Sequence, residues 1–217
     1  MNQKDFTDKL VSYGTTAYRD NTGKSILDTN QYIIFGVRGY TVQNGVLVKN
    51  NDKINLYNDS LFLFRNTDQP EYHSYQCTMD PGMTWLRKAM NPLGTARLKE
   101  GLYKYKTGIH RGHPALNQAS QVTVRRYKEH ANNAPWVSWE EEKPSLFQTG
   151  WFGIDIHAKS TTSEEVNAAS AGCTVIDSIW GGAIWKDFFG LIQSVKNTQN
   201  HYYYIVLDSN TADSLVS

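Results

Sequence analysis

Apolar residues in this chain recur mostly at strand spacing, and helical spacing is confined to two short stretches. The first covers residues 6–13, where Phe6, Leu10 and Val11 share one side. From about Asp28 onward the pattern predicts strands. Residues 31–37 are apolar and β-branched, and Asn44-Gly45 marks a hairpin turn between 40–42 and 46–48. Runs at 61–64, 71–77, 101–106, 121–127, 151–157 and 201–207 predict further strands, and 174–176 a strand or half-turn. Asp80-Pro81-Gly82 reads as a turn, 90–94 as a loop and the polar, acidic 136–149 as an exposed loop. The second helical stretch, 186–196, places Phe188, Phe189, Leu191, Ile192 and Val195 at helical spacing. Residues 209–217 read as a frayed tail. Without repeats, low-complexity segments or linkers, these elements predict one mainly β domain with a few short helices. Its expected parts are an N-terminal extension to about residue 27, a core over 28–207 and a tail over 208–217.

Composition narrows the function classes. The chain has 217 residues, 40% hydrophobic and 20% charged, enough to bury a full core without staples. A net charge of +1 with no like-charge run gives no push toward nucleic acid. The many aromatics, 13 Tyr and 6 Trp among them, suit strands and core packing, and Trp151, Trp180 and Trp185 read as packing residues. Two cysteines are too few for a disulfide framework. Cys77, on a predicted strand, reads as core. No apolar segment follows Met1 as in a secretory signal, and no window reaches the ~20 apolar residues of a membrane span. The expected location is therefore the cytoplasm.

Gly153-Ile154-Asp155-Ile156-His157 and Ser170-Ala171-Gly172-Cys173 carry the clearest chemistry. Strand alternation puts Ile154 and Ile156 on a core face and Gly153, Asp155 and His157 on the other, so His157 projects toward a cleft. The small residues before Cys173 let backbone N–H groups approach a ligand, and the Gly172 and Cys173 donors fit an oxyanion. A thiol attacks as thiolate, and an imidazole can take its proton. Cys173 as nucleophile and His157 as base would form a thioester and then protonate the leaving amine. A buried structural cysteine and a surface histidine are the plain alternatives.

The His157…Ser170-Ala171-Gly172-Cys173 spacing resembles the signature of the L,D-transpeptidase catalytic domain, and more narrowly a phage-associated branch of it. Gly36-Val37-Arg38-Gly39, Tyr57-Asn58-Asp59, Thr78-Met79-Asp80-Pro81-Gly82, Gly94-Thr95-Ala96 and Gly108-Ile109-His110-Arg111-Gly112-His113 with Ala115-Leu116 fit the same branch. The likeness spans roughly residues 30–195. It implies a β-sandwich or barrel and acyl transfer on peptidoglycan stem peptides, with Cys173 as nucleophile and His157 as base, and inhibition through the cysteine by some β-lactams. Two positions depart from the family pattern. Ala171 stands for the usual histidine before Gly-Cys, and Val175 for the usual arginine two places after the cysteine.

With Val175 in that place, a substrate carboxylate needs another cation, and Arg111 and Arg38 are the candidates. His110, His113, Ser170 and Asp155 complete the expected substrate-binding set. No cofactor or metal is required. The expectation is a monomeric cysteine hydrolase acting on peptidoglycan peptide, held in the cytoplasm until lysis or packaged in a phage virion. Hydrolysis is preferred to cross-linking because no export signal is seen and both departures touch the cross-linking signature. A non-catalytic virion or wall-binding protein of the same fold is one alternative. A zinc peptidase using His110, His113 and His157 is another, although His-x-x-His here lies in a Gly/Pro-rich loop, off any helix.

Overall fold

The computed structural model describes residues 1–27, 30–127 and 146–217. Its elements run α1 (Gln3–Ala17), β1 (Tyr32–Val37), β2 (Tyr40–Gln43), β3 (Val46–Lys49), β4 (Asp59–Arg65), β5 (Glu71–Thr78), α2 (Met83–Arg87), β6 (Thr95–Leu98) and β7 (Gly101–His110). They continue with β8 (His113–Gln118), β9 (Val122–Tyr127), β10 (Phe147–Gly150), β11 (Ile156–Lys159), β12 (Thr174–Ile179), α3 (Ala183–Ser194), β13 (Tyr202–Leu207) and α4 (Ser209–Val216).

Eight strands close a barrel in the order β1-β13-β7-β8-β11-β12-β5-β4, so the mainly β reading holds and the sheet is a barrel. β1–β13 and β11–β12 pair in parallel, and the other barrel pairs are antiparallel. Strand alternation sorts β1 between two cores. Tyr32 and Ile34 join a cluster with Leu63 of β4, Tyr105 of β7, Leu116 of β8, Ile156 of β11 and Tyr204 of β13, which fills the barrel. Ile33, Phe35 and Val37 face the other way and pack under Phe6 and Leu10 of α1 and Ala212 of α4.

The terminal segments are therefore parts of the fold and not an extension and a frayed tail. Phe6 and Leu10 are fully buried, each contributing about 1.5–3 kcal/mol. Asn2 caps α1 through its side chain to Asp5 N–H, and Asp208 caps α4 through Thr211 N–H at 2.8 Å. The core boundary expected at residue 28 and residues 136–145 of the expected loop lie outside the described residues. Residues 147–149 of that loop belong to β10, which pairs with β9. The 151–157 strand also shortens: only Ile156 onward is strand, because Gly153 turns the chain at φ +67°.

Candidate active site

Register brings the two signature segments together. β11 and β12 pair in parallel with Ile156 opposite Thr174 and His157 opposite Val175. The residues just before both strands, Asp155 and Cys173, are thus neighbours. Thr174 N–H donates to Asp155 O at 3.0 Å, and Asp155 N–H donates to Cys173 Sγ at 3.4 Å. Cys173 Sγ faces Gly153 O at 3.5 Å. Both cysteines are free, and Cys77 is fully buried in the barrel core.

The turn before Cys173 is held from within. Ser170 Oγ accepts from Gly172 N–H at 3.1 Å and donates to Cys173 O at 2.8 Å, and Ser170 is fully buried. Ser170 therefore shapes the turn and does not face a substrate. The Gly172 N–H, expected in an oxyanion site, is already committed to Ser170, which leaves the Cys173 N–H from that pair. Gly172 adopts φ +127°, and a Cβ there would sit 2.6 Å from Ala96 O.

Four rings stack beside the thiol. His110 lies on His157 with centroids 4.0 Å apart and 11° between planes. Trp180 follows at 5.8 Å from His157, and His113 stacks on Trp180 at 4.6 Å. His157 Nδ1 donates to Ala158 O at 2.6 Å, because a carbonyl only accepts, so Nε2 carries the lone pair. That Nε2 is buried and, among the described residues, has no hydrogen-bond partner. His110 Nδ1 meets Asp155 Oδ2 at 2.9 Å, and Gln118 N–H donates to Asp155 Oδ1 at 3.2 Å. A nitrogen of each of His110 and His157 and the Cys173 sulfur lie within 4.8 Å of one another.

His113 is separated from this group by Trp180, so the expected His110, His113 and His157 zinc set does not assemble. Nor do His110 and His157 suit a shared ion. Imidazole lone pairs lie in the ring plane, and near-parallel planes do not aim at one point.

Burial sets the protonation states. It pushes the Cys173 thiol up to about 12 and, with the neighbouring His110, lowers the His157 imidazole to about 4. At neutral pH the resting pair is a thiol and a neutral imidazole with a free lone pair.

The site opens into a cleft of about 430 Å³ that reaches Cys173, His157, His110 and Arg111. Arg111 and Gly112, both with positive φ, form the two-residue turn between β7 and β8, so Arg111 is exposed at the rim. Arg38, the other expected cation, is elsewhere. It is buried at 2% exposure, paired with Asp80 at 3.2 Å and bonded to Met79 O and Leu98 O. Arg97 joins the same Asp80 at 2.6 Å, so the Asp52, Asp59 and Asp80 cluster is an internal ion network.

Three contributors escaped sequence reading. Gln118 Oε1 accepts from Phe152 N–H and Ile154 N–H, tying down the approach to Asp155. Arg126 lines the cleft and donates to two neutral oxygens, Gln148 Oε1 at 2.8 Å and Gly94 O at 3.2 Å. Trp151, read as a packing residue, is 62% exposed on the cleft wall, whereas Trp185 is buried in the core. Alternation marked Arg125 and Arg126 only as strand residues, and nothing in the sequence linked them to Cys173.

Among the described residues no helix is long and apolar enough to cross a membrane. Comparison with protein-family models, curated proteins and solved structures finds no match.

Proposed function

We propose that this protein is a cysteine-nucleophile acyl-transfer enzyme acting on the stem peptides of peptidoglycan, with water as the acyl acceptor. The observation that carries the reading is the convergence of the Cys173 sulfur and two imidazole nitrogens within 4.8 Å in an open cleft. Cys173 attacks the donor carbonyl and its thiol proton passes to imidazole. The C–N bond breaks, the leaving amine takes a proton, and water then hydrolyses the thioester. Arg111 and Arg126 supply positive charge to a cleft otherwise walled by Trp85, Trp151 and Phe152. That pairing of guanidinium and aromatic surface suits a peptide bearing free carboxylates. The resemblance to L,D-transpeptidases supplies the substrate class, and Ala171 and Val175 support hydrolysis over cross-linking.

The test is turnover of purified stem peptide by wild type and Cys173→Ala, with mass spectrometry of a trapped carbapenem adduct on Cys173. Turnover lost in the variant, with an adduct in the wild type, supports the reading. Equal turnover in both proteins sinks the cysteine mechanism. One observation favours a second reading, a wall-binding module without catalysis: the resting thiol is 7% exposed and strongly protonated. Sacculus binding without turnover or adduct would select it.

A further inference from the structure

Resting on that acyl-transfer reading, we infer that the proton removed from Cys173 comes to rest on His110, held by Asp155, so that the working set is Cys173, His110 and Asp155, with His157 neutral beside them. The sequence pattern alone nominates His157, and the geometry separates the two histidines by what stands behind each ring. His157 Nδ1 is bonded to a neutral carbonyl, Ala158 O. His110 Nδ1 is bonded to a carboxylate, Asp155 Oδ2 at 2.9 Å. An imidazolium is stabilised far more by an anion than by a carbonyl dipole, and a charge-assisted bond is roughly twice as strong as a neutral one. His157 is also 3% exposed, whereas the His110 side chain is 18% exposed and reaches solvent. Desolvation therefore opposes a charge on His157 more than on His110.

The stack adds a constraint. Two imidazolium rings 4.0 Å apart repel, so the pair holds one proton, not two. One nitrogen of each histidine shares a 4.8 Å group with the sulfur. The charge then belongs where its counter-ion is. Asp155 serves both ends: its N–H steadies the sulfur at 3.4 Å and its carboxylate steadies His110. Both histidines border a second cleft of about 370 Å³, and the greater exposure of His110 makes it the imidazole able to hand the proton to a leaving amine or to solvent.

Among the described residues, the other charges facing His110 are few. Arg111 is its chain neighbour, and Arg126 faces the first cleft. Lys159, paired with Asp177, and Glu165 face the second. His113 is screened by Trp180. None of these displaces Asp155 as the direct partner of the ring.

In balance, the S–H bond breaks and the proton passes to His110. The S–C bond forms, the C–N bond breaks, and the His110 proton goes to the departing nitrogen. The hydrolytic half reverses the proton path, with water as donor.

The test needs no peptidoglycan. Alkylation of Cys173 by iodoacetamide is followed against pH in wild type, His110→Gln, His157→Gln and Asp155→Asn, each checked for folding by circular dichroism. The fully buried Cys77 serves as an internal unreactive thiol. The expected result is an acid-side inflection in the wild type that disappears in His110→Gln, moves to lower pH in Asp155→Asn, and persists in His157→Gln. Disappearance in His157→Gln with persistence in His110→Gln overturns the inference, as does an unmoved inflection in Asp155→Asn. Histidine NMR of the wild-type protein keeps the question decidable if a variant does not fold. On acidification the first proton of the stacked pair is expected on His110, and its appearance on His157 overturns the assignment. A protein inert to stem peptide that still gives these results refutes the substrate reading alone. Turnover with the proton on His157 refutes this inference alone.

Discussion

Asp155 and Cys173 sit side by side at the heads of two parallel strands, with the Asp155 N–H 3.4 Å from the Cys173 sulfur. The contact follows from register, since Ile156 pairs with Thr174 and the residues before them must then adjoin. It places a backbone donor against a thiol that burial otherwise keeps protonated. Any change that slips β11 against β12 breaks this contact before it breaks the barrel.

Gly172→Ala is expected to damage both stability and chemistry. The residue sits at φ +127°, and a Cβ there would lie 2.6 Å from Ala96 O, a backbone atom that cannot swing away. Strained backbone of this kind costs about 1–3 kcal/mol, and relief requires moving the turn that carries Cys173. Thermal unfolding and Cys173 alkylation measured together check it: both should fall. Unchanged stability would mean that the turn is soft.

Arg111→Asn separates binding from folding. Asn followed by Gly112 is the preferred pair for a two-residue turn with positive φ at both positions. Hairpin stability should hold or rise slightly, while the rim guanidinium is lost. For a carboxylate-bearing substrate KM should rise about tenfold, a loss of about 1.4 kcal/mol, with kcat within twofold. Steady-state kinetics on stem peptide decide, and an unchanged KM removes Arg111 from substrate binding.

Arg38→Gln should behave in the opposite way. Arg38 and Asp80 are each about 2% exposed and bonded to one another. Removing one partner of a buried pair costs about 3–5 kcal/mol, and the Arg97 contact to Asp80 keeps the loss at the lower end. Urea unfolding should show the loss. A stable variant with a raised KM would return Arg38 to the substrate site.

How much of this was legible in the sequence depends on the range of the interaction. Apolar runs located β1, β4 and β13, whose side chains are nearly all buried, and alternation located β9. The Asn44-Gly45 hairpin was legible because its turn chemistry is local. The β7–β8 hairpin was not: Arg111 occupies a positive-φ position usually taken by Asn or Gly, so the segment read as a loop. The two terminal helices read as an extension and a tail because their partners, Phe35, Phe62 and Ile205, are distant in sequence. The pairing of Asp155 with His110 spans 45 positions, and only barrel closure sets it. Cys173 and His157 were found because a signature names them, and the proton's resting place was hidden because no spacing encodes a hydrogen bond.

His157 gives the protein a pH-dependent stability whose sign is fixed by burial. In the unfolded chain its imidazole takes a proton as pH falls through about 6.5. In the folded protein, burial and the adjoining His110 delay this to about 4. Between those values the unfolded state binds more protons than the native state. The contribution of neutral His157 is therefore intact above about 6.5 and is lost as pH falls toward 4. The full difference is worth roughly 3 kcal/mol. His157→Gln keeps the size and removes the titration. Urea unfolding at pH 4, 5, 6 and 7 should give a wild-type stability that drops more steeply than the variant's below pH 6.5. The gap between the two curves cancels the shared carboxylate titrations. Parallel curves would mean that the His157 ring is hydrated in the folded protein, and its assignment as the neutral ring of the pair would fall with that result.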